Sequence, residues 1–183
     1  MERYRSGEKA LTVEQTKILL NNPELSLFDE GLLRLAVTGG LRRGDIVAVR
    51  KDGLDGHQLK YFERKKRGRL WTCYLPASTV QVLNQLRKTS KGPWMFPQQA
   101  NSSKHICSKT AYNILQRRLT EVGLHSIPFH ALRATCIKLA QRRGWTVEQT
   151  AKHVGDTVRV IQEHYAVPSQ MEMAEVVSQK AIL

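Results

Sequence analysis

The sequence predicts a mainly α-helical domain with one small antiparallel β-sheet, an α+β fold. Three observations carry this. Two matching stretches, Thr12-Val13-Glu14-Gln15 and Thr146-Val147-Glu148-Gln149, have the Thr-x-x-Gln form of a capping box, which opens a helix. Several segments carry apolar residues at helical spacing, most densely from Leu27 to Val37. Only one stretch, Gln58 to Leu75, reads as a pair of strands around a glycine-containing turn.

Residues 1–10 are polar and read as a loose lead-in, giving 1–11 as lead-in and 12–183 as a single domain. The first capping box opens a helix through Leu20. Ser26 or Asn22 caps the next, whose apolar positions Leu27, Phe28, Leu32, Leu33, Leu35, Ala36 and Val37 are almost continuous, the pattern of a buried helix. Thr38-Gly39-Gly40 ends it, Leu41 to Val47 forms a short helix, and the Gly- and Asp-rich residues 48–57 read as a loop. Strands from Gln58 to Arg64 and Leu70 to Leu75 are joined by Lys65-Lys66-Arg67-Gly68-Arg69. Pro76 stops the second strand, Ala77 to Leu86 is helical, and Trp94-Met95-Phe96 is a short buried strand or apolar plug. Helices follow over Ile106–Val122 and Phe129–Arg143, then from the second capping box to Gly155, from Val158 to Tyr165 and from Ser169 to Leu183.

Lys and Arg number 29 against 16 Asp and Glu, a net charge of +13 with a pI near 10.0. That excess favours a polyanionic partner, nucleic acid first. No single amphipathic helix collects the charge, which disfavours a membrane surface. No apolar run approaches the roughly 20 residues that span a bilayer, and Met1 to Arg5 lacks the apolar core of a signal peptide. A cytoplasmic protein associated with nucleic acid is expected, and charge alone does not separate DNA from RNA. Cys73, Cys107 and Cys136 are odd in number and widely spaced, so they read as buried free thiols rather than a disulfide or metal site. Lys60, Arg64, Lys65, Lys66, Arg67 and Arg69 crowd the hairpin against only Glu63; this is either a solvated loop or a basic finger along a phosphate backbone. Gln116-Arg117-Arg118 adds another basic face.

His130 and Arg133 are three apart, so on a helix they share a face. An imidazole that moves protons then stands beside a planar cation suited to phosphate. Locally this is weak: such pairs commonly decorate amphipathic helices, Arg42 reads as a surface arginine, and Tyr165 as a core aromatic.

In chain order, however, the residues resemble the tyrosine recombinases, the phage integrase family. Gly40-Leu41-Arg42-Arg43-Gly44-Asp45-Ile46 is similar to the family's first arginine box. The basic hairpin resembles the one carrying its catalytic lysine, for which Lys66 is the best match and Lys65 the runner-up. His130-Ala131-Leu132-Arg133 is similar to the His-x-x-Arg box, and Gly155-Asp156 through His164-Tyr165 to the box that the tyrosine closes. One position departs. Nine residues before the tyrosine the family usually has His or Trp, and here stands Asp156, whose ionised carboxylate donates no hydrogen bond and repels phosphate. Either Asp156 points away, or it is protonated, or His153 or His164 supplies the missing donor.

The resemblance implies a site-specific recombinase or integrase acting on double-stranded DNA. Tyr165 would attack the scissile phosphate to give a 3′-phosphotyrosine, followed by strand exchange and religation without ATP, cofactor or metal. Arg42 and Arg133 would clamp the phosphate oxygens, Lys66 would protonate the leaving oxygen, and His130 would handle the Tyr165 proton. Lys65, Arg67, Arg69 and Arg43 are the expected DNA-binding residues. The last helix either docks on a neighbouring protomer, as in relatives that work as tetramers on paired sites, or packs on its own core. The family usually carries an N-terminal DNA-clamping domain that this sequence does not display, so a catalytic fragment or an unusually short member is expected. Two alternatives keep the fold: an inactive DNA-binding regulator, and type IB topoisomerase-like relaxation.

Overall fold

A computed structural model of the chain describes residues 9–66, 68–165, 177 and 178, with the backbone alone at Lys66. Thr12 Oγ1 accepts from the Gln15 N–H at 3.1 Å and Gln15 Oε1 from the Thr12 N–H at 3.0 Å, the expected capping box at the head of α1 (Val13–Leu20). Ser26, not Asn22, caps α2 (Leu27–Gly39), accepting from the Asp29 N–H at 3.1 Å. Arg42 is the N-cap residue of α3 (Arg43–Val47), one position before the helix rather than within it.

Three strands, β1 (Leu54–Asp55), β2 (Gln58–Glu63) and β3 (Arg69–Tyr74), form an antiparallel sheet in that order. The expected 48–57 loop thus contains a short strand, held by Leu54 opposite Leu59; two residues are too few for an alternating pattern to announce it. Along β2, Leu59, Tyr61 and Glu63 are buried while Lys60 and Phe62 are exposed. The strand stops at Glu63 because the Arg64 N–H leaves the ladder and donates to Asp45 Oδ1 at 2.9 Å. Arg64–Lys66 turns as a single 3₁₀ segment.

The remaining helices are α4 (Ala77–Thr89), α5 (Ser108–Glu121), α6 (His130–Arg142), α7 (Val147–Val154) and α8 (Val158–His164). Thr146 and Gln149 repeat the capping box at α7, and Thr157 caps α8. Helix α2 packs against α1, α3, α4, α5 and α6, with Leu32, Leu33, Leu35 and Ala36 fully buried, as its apolar density requires. Met95 and Phe96 are likewise fully buried. A second cluster joins α6, α7 and α8 through Ala134, Ile137, Ala151, Val154, Ile161 and Tyr165. Among the described residues no helix is long and apolar enough to cross a membrane.

Leu11, the last residue of the lead-in, is 6% exposed and its N–H donates to Thr135 Oγ1 at 2.8 Å, docking it on α6. Cys73 and Cys136 are buried free thiols, but Cys107 is exposed at the N-cap of α5, against Thr110 Oγ1. Of the expected basic face at 116–118, Arg118 is turned inward, while Arg117 stays exposed but paired. Both donate to the buried Asp29 carboxylate, and Arg118 also reaches Glu121 at 2.7 Å. The expected helix over 169–183 lies outside the described residues except at Val177 and Ser178, which are helical and exposed.

Candidate active site

The site forms where α2, α3, α6 and the α7–α8 connection meet. Helix α2 ends on Gly40 in the left-handed region, φ +62°, where an added Cβ would lie 2.7 Å from Val154 Cγ1; only glycine lets the chain turn this close to α7. The turn puts the Gly40 carbonyl against α6 and presents Arg42 two residues later. Arg133 is 1% exposed and donates from Nη1 to that carbonyl at 2.6 Å. Its Nη2 donates to Asp156 Oδ2 at 2.8 Å, and Arg42 Nη2 reaches the same oxygen at 3.3 Å. One carboxylate oxygen thus bridges both arginines, and Asp156 points into the site, not away from it.

Arg42 is anchored from a second side. Its Nη1 donates to Glu63 Oε1 at 2.9 Å, and Glu63, fully buried at the end of β2, also takes Arg69. The Arg69 guanidinium lies 4.3 Å over the Trp71 ring. A buried carboxylate is tolerable with two charge-assisted partners. Glu63 was missed as a site residue, although a lone acid on the inward phase of a basic strand was the available signal.

His130 begins α6 one turn before Arg133, and its Nε2 lies 3.0 Å from Tyr165 Oη. Tyr165 terminates α8 and is 3% exposed, its ring in the second cluster. The hydroxyl meets a residue that is itself exposed. Partial shielding of the imidazole from water lowers the His130 pKa from its ordinary 6.5, and the charges of Arg133, Arg42 and Lys65 lower it further. A neutral ring accepts a proton from a phenol; an imidazolium does not. Burial raises the Asp45 carboxyl above its usual range, opposed first by the Arg64 N–H and then by Arg42. Asp45 therefore ties the first arginine box to the base of the basic turn.

Five predicted residues, Arg42, His130, Arg133, Asp156 and Tyr165, converge. Lys65 is exposed on the turn, near enough for its charge to act on His130. The side chain of Lys66, and Arg67 entirely, lie outside the described residues. Arg43 is exposed and lines an open cleft of about 300 Å³ with Arg42, Tyr112, Phe129 and His130. Arg69 is committed to Glu63 and Trp71, though 43% of its side chain is exposed. His153 does not join the cluster: its Nε2 donates to the Thr38 carbonyl at 2.8 Å and its ring packs edge-on to Trp145. His164 is exposed, its ring 6.3 Å from that of Tyr165.

Residues 9–166 match the model of the phage integrase family. No curated protein matches the sequence. The XerA recombinase structure is similar over 95% of this chain, with 14% identity and a TM-score of 0.82. The XerH site-specific recombinase bound to its difH substrate before cleavage is similar over 93%, with 16% identity and a TM-score of 0.70. A lambda integrase tetramer bound to a Holliday junction is similar over 93%, with 15% identity and a TM-score of 0.68. This chain spans 65% of the XerA chain, 54% of the XerH chain and 52% of the lambda integrase chain. At such identities the likeness bears on the fold: mostly helical, with a small antiparallel sheet.

Proposed function

Because the chain belongs to the phage integrase family, we propose that it breaks and rejoins double-stranded DNA in site-specific recombination, with Tyr165 as the nucleophile. The Tyr165 Oη–phosphorus bond forms as the phosphorus–O5′ bond breaks, leaving a 3′-phosphotyrosine and a free 5′-hydroxyl. Religation is the reverse attack, so the phosphodiester energy stays in the covalent link. Attack by a phenol of pKa near 10 needs help at neutral pH, and His130 Nε2 takes the proton. Arg42 and Arg133 hold the non-bridging oxygens as charge grows on them. Lys66, or Lys65 beside it, gives a proton to O5′.

The observation that carries this reading is the 3.0 Å contact between Tyr165 Oη and His130 Nε2, one helical turn from a guanidinium pair. DNA is also the partner named for several relatives of this fold. Lys65, Arg67, Arg69 and Arg43 serve as backbone contacts. Assembly is as a tetramer on paired sites, with residues 169–183 as the exchanged element. The test uses nicked duplexes cut from the DNA flanking the gene. A covalent protein–DNA adduct is expected, absent in Tyr165→Phe, and no adduct on any such duplex would count against the proposal.

One observation favours a second reading: Asp156 occupies the arginine pair, as an inactive DNA-binding regulator would tolerate. That protein would bind DNA selectively, unchanged by Tyr165→Phe, and would neither nick nor relax supercoiled plasmid.

A further inference from the structure

Asp156 Oδ2 stands where the two guanidinium groups converge, 2.8 Å from Arg133 Nη2 and 3.3 Å from Arg42 Nη2. Two donors converging on one anionic oxygen is also how a pair of arginines holds a non-bridging phosphate oxygen. We propose that the Arg42–Arg133 pair is an oxyanion seat with an internal occupant, and that the Asp156 carboxylate must swing out before a tetrahedral phosphate enters. This rests on the recombinase reading for the identity of the natural phosphate, but not for the existence of the seat.

Three features make Asp156 a displaceable occupant rather than the post that holds the arginines. Each guanidinium has an anchor of its own: Arg133 Nη1 on the Gly40 carbonyl at 2.6 Å, and Arg42 Nη1 on Glu63 Oε1 at 2.9 Å. Both stay in place when the carboxylate leaves. The backbone of Asp156 is fixed as well, its N–H donating to the Ala151 carbonyl at 2.9 Å, so a side-chain rotation clears the seat without moving the α7–α8 connection. Finally, the Asp156 side chain is 15% exposed and that of Arg133 1%. The occupant lies on the solvent side of the deeper arginine. Among the described residues, moreover, Arg133 Nε is a buried donor without a hydrogen-bond partner, so Asp156 leaves this guanidinium incompletely satisfied.

The physical consequence is competition. An ionised carboxylate in the seat repels an incoming phosphate and uses two of the donors it needs. Its neutral isostere, Asp156→Asn, keeps the shape and removes the charge.

The experiment titrates the full chain with inorganic phosphate at constant ionic strength by calorimetry, comparing wild type, Asp156→Asn and Asp156→Ser. Both variants are expected to bind phosphate roughly tenfold or more tightly than wild type, the effect of removing one adjacent negative charge. Arg133→Gln in the Asp156→Asn background abolishes the gain. If Asp156 instead holds the arginines in place, both variants bind phosphate no better than wild type, which overturns the seat. Folding of each variant is checked by its cooperative thermal transition, and Asp156→Ser answers the question should Asp156→Asn fail to fold. A parallel arm measures covalent adduct on the nicked duplex. A wild type that forms adduct alongside variants without tighter phosphate binding sinks the internal occupant and leaves the recombinase standing. Tighter phosphate binding in variants of a chain that never forms adduct does the opposite: it supports a seat for free or backbone phosphate and sinks the strand-exchange reading.

Discussion

Glu63 Oε1 accepts a hydrogen bond from Arg42 Nη1 at 2.9 Å, so a carboxylate with no exposure to water holds the guanidinium that faces the candidate phosphate position. Glu63 also takes Arg69, so its removal breaks two ion pairs at once, leaving Arg42 with Asp156 and the half-exposed Arg69 over Trp71. Breaking a buried pair by deleting one partner costs about 3–5 kcal/mol. Glu63→Ala is therefore expected to lower unfolding free energy by about that amount in urea denaturation. Glu63→Gln preserves the volume and loses less stability. If Glu63 positions Arg42, adduct formation falls in Glu63→Gln well beyond what the loss of folded protein explains.

The His130 imidazole titrates below its ordinary 6.5, first because it is partly buried and then because Arg133, Arg42 and Lys65 repel its proton. The ring is thus neutral at pH 7 and able to receive the Tyr165 proton. The rate of adduct formation is expected to hold from pH 8 down to 6.5 and to fall only below it. His130→Gln removes that acid limb and lowers the rate about 10²- to 10⁴-fold. For stability the sign is the same: a depressed pKa contributes stability present above 6.5 and lost as pH falls through the folded-state value. An acid limb centred above pH 7 would show that the ring is charged at rest and is not the base.

Much of this was legible in the chain because it is local. Capping boxes, glycine stops and a dense apolar run each act within a few residues, and α1, α2, α7 and the hairpin follow from them. The site residues were legible only as an ordered set: His130 and Tyr165 lie 35 positions apart, Arg42 and Asp156 lie 114 apart, and no local rule brings them together. What sequence reasoning missed are partnerships of charge. Arg118 looked like part of a basic face because its partner Asp29 is 89 positions away, and Glu63 looked like a lone acid because Arg42 belongs to a different element. Asp156 could be flagged as a departure, but whether it faced the arginines depends on the left-handed turn at Gly155.

Gly155 adopts φ +70°, and a Cβ there would lie 2.8 Å from Glu63 Oε1 and 3.2 Å from Trp71 Nε1. Gly155→Ala thus combines a left-handed residue, about 1–2 kcal/mol for a side chain, with pressure on the carboxylate that anchors Arg42. Chemical denaturation is expected to show a loss of about 1–3 kcal/mol. Because the collision falls on Glu63, adduct formation drops more steeply than stability. Gly144 is the control: also left-handed at φ +83°, it has open space around its Cβ position. Equal losses of activity in the two alanine variants would mean that only backbone strain matters.

Cations that look alike in the sequence separate by their partners. Arg118 is 8% exposed and donates from Nε to Asp29 Oδ2 at 2.8 Å, whereas Arg43 and Lys65 are exposed beside the candidate site. Arg118→Ala leaves Asp29 buried with Arg117 as its remaining partner, and is expected to cost about 3–5 kcal/mol of stability. The salt dependence of DNA binding stays as in wild type, because that guanidinium is turned inward. Lys65→Ala and Arg43→Ala do the reverse: stability holds within about 0.5 kcal/mol, while each reduces the slope of log affinity against log salt by about 1. Fluorescence anisotropy on one duplex across a salt series reads the slope, and thermal melts read the stability. A slope that drops for Arg118→Ala and not for Lys65→Ala would put the DNA on the α5 face instead.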